Sequence, residues 1–478
     1  MNITDPIISQ ALHNPEGLAL CAPGVDIVSY SRLEASINNV ARRALGLGLA
    51  PGQIVAVFMP QHPVLHAVLL LGLARAGIVT ASITARKLPA SLNLAGVICD
   101  GGHPHGGIKA IPFDMSWMMG DGKSGGFGPG PRADDLCRIM LTSGTTGEPK
   151  VIALTHGMML GRVLRYHMLC GSALPFSSRM FCDVTLATGF GFTMFLYMLC
   201  KGGAFFMRGN NAETMLRALS SYQVTGLVVS PGTLPELLAE YDTHRCRHTF
   251  DVIFTGGSML SARLAERVGS RMGANILGGY GSAEAGLVAC APADTMRGVQ
   301  SAVGYVSPGI SVEIVDDDDR PVPTGQSGVV RMRGDYVVEG YFNDPEASAA
   351  TFRGGWFYPG DIGSFAGDGM FVVSGRQKAV LNLGGEKVAP ETIEHVIAAF
   401  DLGLPSAAFL MPTADGGNEI WVAIETEKPV DEAKLREHCQ KSLPNIFMPK
   451  RFVTVRRLPR NAMGKLERAE LSQTVAAK

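Results

Sequence analysis

Short apolar runs of strand length alternate with apolar segments of helix length from Ile54 to the region after Ser261, and no other feature constrains the fold as strongly. Ile54–Met59 suits a buried strand, Val64–Ala76 a long apolar helix, and Val79–Ile83 a second strand. The pattern resumes at Gly226–Ser230 and Val252–Thr255, followed by a turn at Gly256-Gly257 and a helix from Ser261. Upstream, Ser31-Arg32-Leu33-Glu34 reads as a capping box opening a helix whose apolar face is Leu33, Ile37, Val40 and Ala44. An α/β fold with a largely parallel sheet is expected. Residues 101–132, rich in glycine and proline, are expected to form a surface excursion. From residue 302 the character changes to short alternating runs, with Val312–Val315, Gly328–Met332 and Met370–Val373 predicted as strands of a smaller β-rich unit. After Arg376 a compact α+β tail is expected. Its first helix has Pro390 in the opening turn and Ile393, Val396, Ile397 and Phe400 on one face.

A chain of 478 residues exceeds one ordinary core, so two or more domains are expected. The formal net charge of −1 and the scattered lysines and arginines argue against a nucleic-acid footprint. Nine cysteines are spread from Cys21 to Cys439 with no Cys-x-x-Cys pair, which points to reduced thiols in a cytoplasmic protein. The opening MNITDPIISQ lacks the basic-then-apolar order of a signal peptide. Val184–Cys200 is apolar but at the lower limit for a membrane span, and is read as a helix buried in a large core.

Within this frame lies LTSGTTGEPK, Leu141–Lys150. Thr142, Ser143, Thr145 and Thr146 supply hydroxyls, Gly144 and Gly147 let backbone N–H groups turn toward one anion, and Lys150 adds a point charge. The composition suits a phosphate cradle, and by itself equally suits a plain Gly/Ser/Thr turn. It is not the Walker pattern, because its lysine does not directly follow the second glycine and a strand-like run, Val151–Leu154, comes next.

Four more segments gather unusual residues. GGYGSAE, Gly278–Glu284, sets a ring that can stack on a base beside a carboxylate suited to magnesium. Its glycines nearly form a dinucleotide fingerprint, but Glu284 stands where a further glycine is needed. WFYPGDIG places Asp361 on a tight turn, suited to a ribose diol, and SGRQKAVLNLGGE carries a second ribose candidate, Arg376, and the pair Gly384-Gly385. LPRNAMGKLER sets Lys465 after a glycine near the C-terminus.

The ordered series LTSGTTGEPK, GYGSAE, YPGDIG, GRQKAVLNLGGEKVAPETIE and PRNAMGKLER resembles the ANL superfamily of adenylate-forming enzymes, which includes acyl- and aryl-CoA synthetases, nonribosomal peptide synthetase adenylation domains and luciferases. The resemblance covers nearly the whole chain. It implies a large N-terminal domain, residues 1–377, of layered α/β subdomains plus a β-rich subdomain, and a small mobile α+β lid, residues 378–478. It also implies a two-step ligation: a carboxylate attacks the α-phosphorus of ATP, releasing pyrophosphate, and the thiol of CoA then displaces AMP to give a thioester.

On that resemblance Thr142, Ser143, Gly144, Thr145, Thr146, Gly147 and Lys150 hold the β- and γ-phosphates. Glu284, with Thr145, binds Mg²⁺, and Gly279, Tyr280, Gly281 and Ser282 border the nucleotide, Tyr280 against adenine. Asp361 and Arg376 grip the ribose, and Lys465 bridges the carboxylate and the α-phosphate. Charge neutralisation and in-line positioning, not a protein nucleophile, are what such a reaction demands. The lid turns about Lys378, withdrawing Lys465 and bringing Gly384 and Gly385 to a pantetheine tunnel.

The chain departs from the family at Ala283, where threonine is usual, at Pro359 and at Ala379. For the acyl pocket the resemblance points to Phe190, Phe192, Thr193, Gly257 and Gly279, all apolar or small, and Phe190 stands where amino-acid-activating relatives carry an aspartate. An apolar or aromatic carboxylic acid is therefore expected. Three readings are weighed: a CoA ligase, a stand-alone enzyme loading a carrier protein's phosphopantetheine, and a nucleotide-binding homologue impaired in catalysis. Lys387 and Lys450 are candidates for CoA phosphates and equally for surface charges.

Overall fold

The computed structural model describes residues 1–476 apart from 84–87, 90, 91, 104, 121, 123–129, 143–148, 172, 176, 177, 210, 274, 378–380, 384, 385, 401–404, 414–417, 428, 461–465 and 467. Two sheets dominate. The first has six strands in the spatial order Ala110–Pro112, Gly96–Cys99, Ile54–Phe58, Val79–Ser82, Leu136–Thr142 and Lys150–Thr155. All neighbours are parallel except the last pair, which forms an antiparallel hairpin. The second runs through fifteen strands. Its parallel stretch passes from Leu18–Ala22 through Ala204–Met207, Arg179–Cys182, Gly226–Val229 and Val252–Gly256 to Asn275–Ser282. From there Gly286–Pro292, Ala302–Val306, Phe371–Arg376 and Asp361–Phe365 continue it antiparallel.

Helices Pro63–Arg75 and Gly189–Cys200 belong to one core cluster with residues of both sheets. Every residue from Gly191 to Leu199 is buried. A helix apolar on all sides must be buried on all sides, and among the described residues no helix is long and apolar enough to cross a membrane. Val184–Cys200 is thus a core element, with its helix beginning only at Gly189. Thr188 caps it by accepting from the Gly191 N–H at 3.0 Å.

Several local expectations need correction. Helix Tyr30–Gly46 starts at N-cap Ser29, whose hydroxyl accepts from Arg32 N–H. The Ser31–Glu34 capping box does not form, because Glu34 instead receives a charge-assisted bond of 2.5 Å from Arg75 in the core. Leu33, Ile37, Val40 and Ala44 do face inward. Residues 101–132 are more than a surface excursion, since Ala110–Pro112 adds an edge strand and Trp117 is fully buried. The strands after residue 302, Ile310–Val315, Gly328–Gly334 and Phe371–Arg376, form no sheet of their own. Ala302–Val306 pairs with both Gly286–Pro292 and Phe371–Arg376 and joins them to the main sheet, although their apolar cluster is separate.

Beyond Arg376, strands Ser406–Pro412, Asn418–Glu425 and Arg451–Val455 form a three-stranded sheet covered by helices Pro390–Phe400 and Glu432–Ser442. Ile393 and Ile397 are buried, with Val396 and Phe400 packed against the same cluster.

Candidate active site

The phosphate-loop candidate falls in sequence between the antiparallel strands Leu136–Thr142 and Lys150–Thr155, in which Thr142 and Lys150 are cross-strand partners. Ser143, Gly144, Thr145, Thr146 and Gly147 lie outside the described residues. Lys150 is described. Its Nζ lies 4.4 Å from the centroid of the Tyr341 ring, a cation–π contact. The Phe342 N–H donates to Val151 O at 2.8 Å and so carries the 341–342 segment alongside the second hairpin strand.

Glu284 occupies the turn of a second hairpin, between Asn275–Ser282 and Gly286–Pro292. A strand follows GGYGSAE rather than a helix, which removes the dinucleotide-fingerprint reading. Ser282 Oγ accepts from Ala285 N–H at 3.2 Å, closing the turn. Gly281 is dictated by space, because a Cβ there would lie 2.1 Å from Gly286 O. Gly286 adopts φ +71°, where side chains are strained. The buried Glu284 side chain receives the Tyr341 hydroxyl on Oε1 at 3.1 Å. Its backbone carbonyl accepts from Val338 N–H at 3.0 Å and from Arg162 Nη2 at 2.7 Å.

At the other end of the site, Asp361 begins the strand Asp361–Phe365 directly after Gly360, which adopts φ +76°. The turn expected to hold Asp361 therefore precedes it. Strand register sets Asp361 opposite Arg376, and Arg376 Nε pairs with Asp361 Oδ1 at 2.7 Å while Nη1 donates to Pro359 O at 2.9 Å. The Tyr280 hydroxyl donates to Asp361 Oδ2, and its ring meets Phe371 edge-on at 5.6 Å. Burial first, then the Asp361 carboxylate, pushes the Tyr280 phenol well above its ordinary pKa, so it remains a donor. The two ends are continuous: Glu284 acts on the titration of Tyr280 and Tyr341, and so does Arg376.

Elsewhere, the Phe190 ring packs on Phe254 at 5.6 Å. Gly256 leaves no spare room, since a Cβ would lie 3.0 Å from Gly279 O and 3.8 Å from Phe190. At Gly279 a Cβ would meet Leu287 at 2.9 Å and Phe254 at 3.3 Å. Gly257, at φ +90°, opens on free space. Phe192 and Thr193, by contrast, are core residues. The Arg138 guanidinium lies 4.2 Å above the Phe192 ring, and Thr193 Oγ1 donates to Gly189 O.

Lys378, Gly384, Gly385 and Lys465 lie outside the described residues, as does the Lys387 side chain. Lys450 is exposed. Neither Tyr341 nor Arg162 stands out in the sequence. The readable signal for Arg162 is a pair of arginines three residues apart, with Arg165, in the mostly apolar helix His156–Cys170. For Tyr341 the only hint is its place in a Gly-Tyr step before the turn-forming Asn343-Asp344.

No group of three or more His, Cys, Asp or Glu side chains suited to a metal occurs among the described residues. At the end of the site near Lys150 and Tyr341, Glu284 offers a carboxylate among the described residues. That fits an ion such as Mg²⁺, which takes one or two carboxylates and completes its shell with phosphate oxygens and water.

Residues 113–342 match the family model of the AMP-binding enzymes. The chain is 29% identical over 356 residues to 2-hydroxy-7-methoxy-5-methyl-1-naphthoate–CoA ligase of Streptomyces carzinostaticus, a match covering 71% of this chain and 62% of that relative, so under two thirds of its length. It is 26% identical to 2-succinylbenzoate–CoA ligase of a Geobacillus species, over 99% of this chain and 98% of the relative. Its fold superposes on ATP-bound MatB from Rhodopseudomonas palustris with a TM-score of 0.85 at 26% identity, covering 99% of each chain. The AMP-binding enzyme family is thus matched over residues 113–342, and the relatives and the superposed fold extend the similarity along the chain. The similar relatives include acyl- and aryl-CoA ligases.

Proposed function

We propose that this protein is an ATP-dependent, AMP-forming ligase that activates an apolar or aromatic carboxylic acid and transfers it to CoA. The observation that carries this reading is the convergence of Glu284, Tyr341 and Lys150 with Tyr280, Asp361 and Arg376 in one continuous site. The acid's carboxylate oxygen bonds to the α-phosphorus as the bond to pyrophosphate breaks. The CoA sulfur then bonds to the acyl carbon as AMP departs. Lys150 and the loop before it hold the phosphates, Glu284 holds Mg²⁺, and Asp361 with Arg376 orients the ribose. When bound, Mg²⁺ offsets phosphate charge and stabilises the leaving pyrophosphate. Packing of Phe190 on Phe254 beside the glycines supports an apolar or aromatic acid, and relatives named for indoleacetate and feruloyl substrates agree with it.

In this reading residues 1–377 hold the ATP and acyl sites, and residues 378–478 are a lid that presents Lys465 and turns about Lys378. Pyrophosphate release from ATP and Mg²⁺ with a panel of acids, with and without CoA, tests the proposal. Turnover of an aromatic acid with thioester formation is expected. Release without any CoA thioester points instead to a carrier protein as acceptor, and no release with any acid sinks the enzyme reading. Lys465→Ala should lower adenylation by on the order of a hundredfold. Lys378→Pro should spare adenylation and cripple thioester formation, and equal loss of both steps counts against the turning lid.

A further inference from the structure

The Glu284 turn is gripped from behind by a residue to which no role has been given. Arg162, in helix His156–Cys170, is 2% exposed, and its guanidinium makes four hydrogen bonds, all to backbone carbonyls. Nη1 donates to Ala283 O at 2.9 Å and Nη2 to Glu284 O at 2.7 Å. Nη2 and Nε also donate to Tyr336 O, at 3.0 and 3.3 Å. One turn along the same helix, Arg165 donates to Ala285 O at 3.0 Å and stacks under the Tyr336 ring at 5.4 Å. Gly161 makes room for that ring, since a Cβ there would sit 2.1 Å from it.

Two segments thus meet on one planar fork: the turn carrying Glu284, and the stretch of turns and bends from Tyr336 to Tyr341, whose hydroxyl holds the Glu284 carboxylate. We propose that Arg162 is a positioning residue that sets the Glu284 carboxylate for the metal, by fixing the spacing of these two segments. The inference rests on the reading of Glu284 as the metal-holding group. Burying a guanidinium among carbonyls with no carboxylate partner is costly, and the compensation here is geometric. A guanidinium presents five donors in a rigid plane, whereas a lysine ammonium cannot reach three diverging carbonyls at once. Residues that orient a metal ligand typically govern metal affinity by ten- to a hundredfold.

The test is Mn²⁺ binding, read by electron paramagnetic resonance, to the full-length protein in the presence of a non-hydrolysable ATP analogue. Wild type, Arg162→Lys, Arg162→Gln and Glu284→Gln are compared. Arg162→Lys and Arg162→Gln should weaken Mn²⁺ about tenfold or more, with metal-free affinity for the analogue within about twofold of wild type and cooperative melting retained. Mn²⁺ affinity within twofold of wild type in both arginine variants overturns the proposal. A parallel drop in metal-free analogue affinity overturns it too, because a general loss of structure then explains the effect. Failure of both variants to fold has the same meaning, since the arginine is then required by the fold itself. If Glu284→Gln also leaves Mn²⁺ affinity unchanged, the metal-ligand reading of Glu284 fails first.

Discussion

The two ends of the candidate site are built in opposite ways. At the Asp361 end the side chains hold each other: Arg376 pairs with Asp361 at 2.7 Å, and Tyr280 donates to the other Asp361 oxygen. At the Glu284 end the backbone is held instead. The Glu284 carbonyl takes Arg162 and Val338, and its carboxylate meets a single described donor, Tyr341. Side chains that satisfy one another tie binding to stability, because deleting one leaves the other buried and unpaired. A backbone-held turn separates the two, so its side chain can be changed at little cost to the fold.

Removing divalent metal with a chelator has the largest expected effect. Pyrophosphate release should fall to background while AMP binding, measured by calorimetry, persists. Loss of AMP binding as well would mean that the two ends are not separable. Next, Glu284→Gln should lower adenylation by roughly a hundredfold with a melting temperature close to wild type, since the amide oxygen can still accept from Tyr341. A large drop in melting temperature would break the comparison at its Glu284 end. Asp361→Asn should do the reverse. It should raise the KM for ATP by about tenfold and destabilise the fold by about 1–3 kcal/mol, as a buried amide N–H then faces the Tyr280 hydroxyl or the Arg376 guanidinium, where a carboxylate accepted from both. Unchanged melting would show that the ion pair contributes nothing to the fold. Tyr341→Phe should have the smallest effect, about a two- to fivefold rise in the Mg²⁺ needed for half-maximal rate, for the net loss of one hydrogen bond of about 1 kcal/mol.

What the sequence makes legible follows the range of the interactions. Buried strands and the two central helices show as apolar runs because their environment is apolar on every side. Glu284, Asp361 and Arg376 show through the motifs around them. That Asp361 faces Arg376 depends on the register of two consecutive strands, with the partners fifteen positions apart, and that Tyr280 reaches Asp361 depends on two strands distant in sequence. Local rules fail where a tertiary partner outbids them. Glu34 leaves its predicted cap for Arg75, and the strands after residue 302 are drawn into the main sheet through Ala302–Val306. Arg162 escapes notice for the same reason, since nothing local distinguishes an arginine that reaches across to a turn more than a hundred residues away.

Helix Gly189–Cys200 carries a consequence for anyone wishing to retune acid preference. From Gly191 to Leu199 it is wedged in the core, whereas Phe190 sits in its first turn, only half-buried and touching Phe254. If the proposed acyl site is right, position 190 is the lever for saturation libraries. Smaller residues there would open space against Phe254 without disturbing the buried part of the helix, while the glycines at 256 and 279 leave no space for a methyl group and are poor places to diversify.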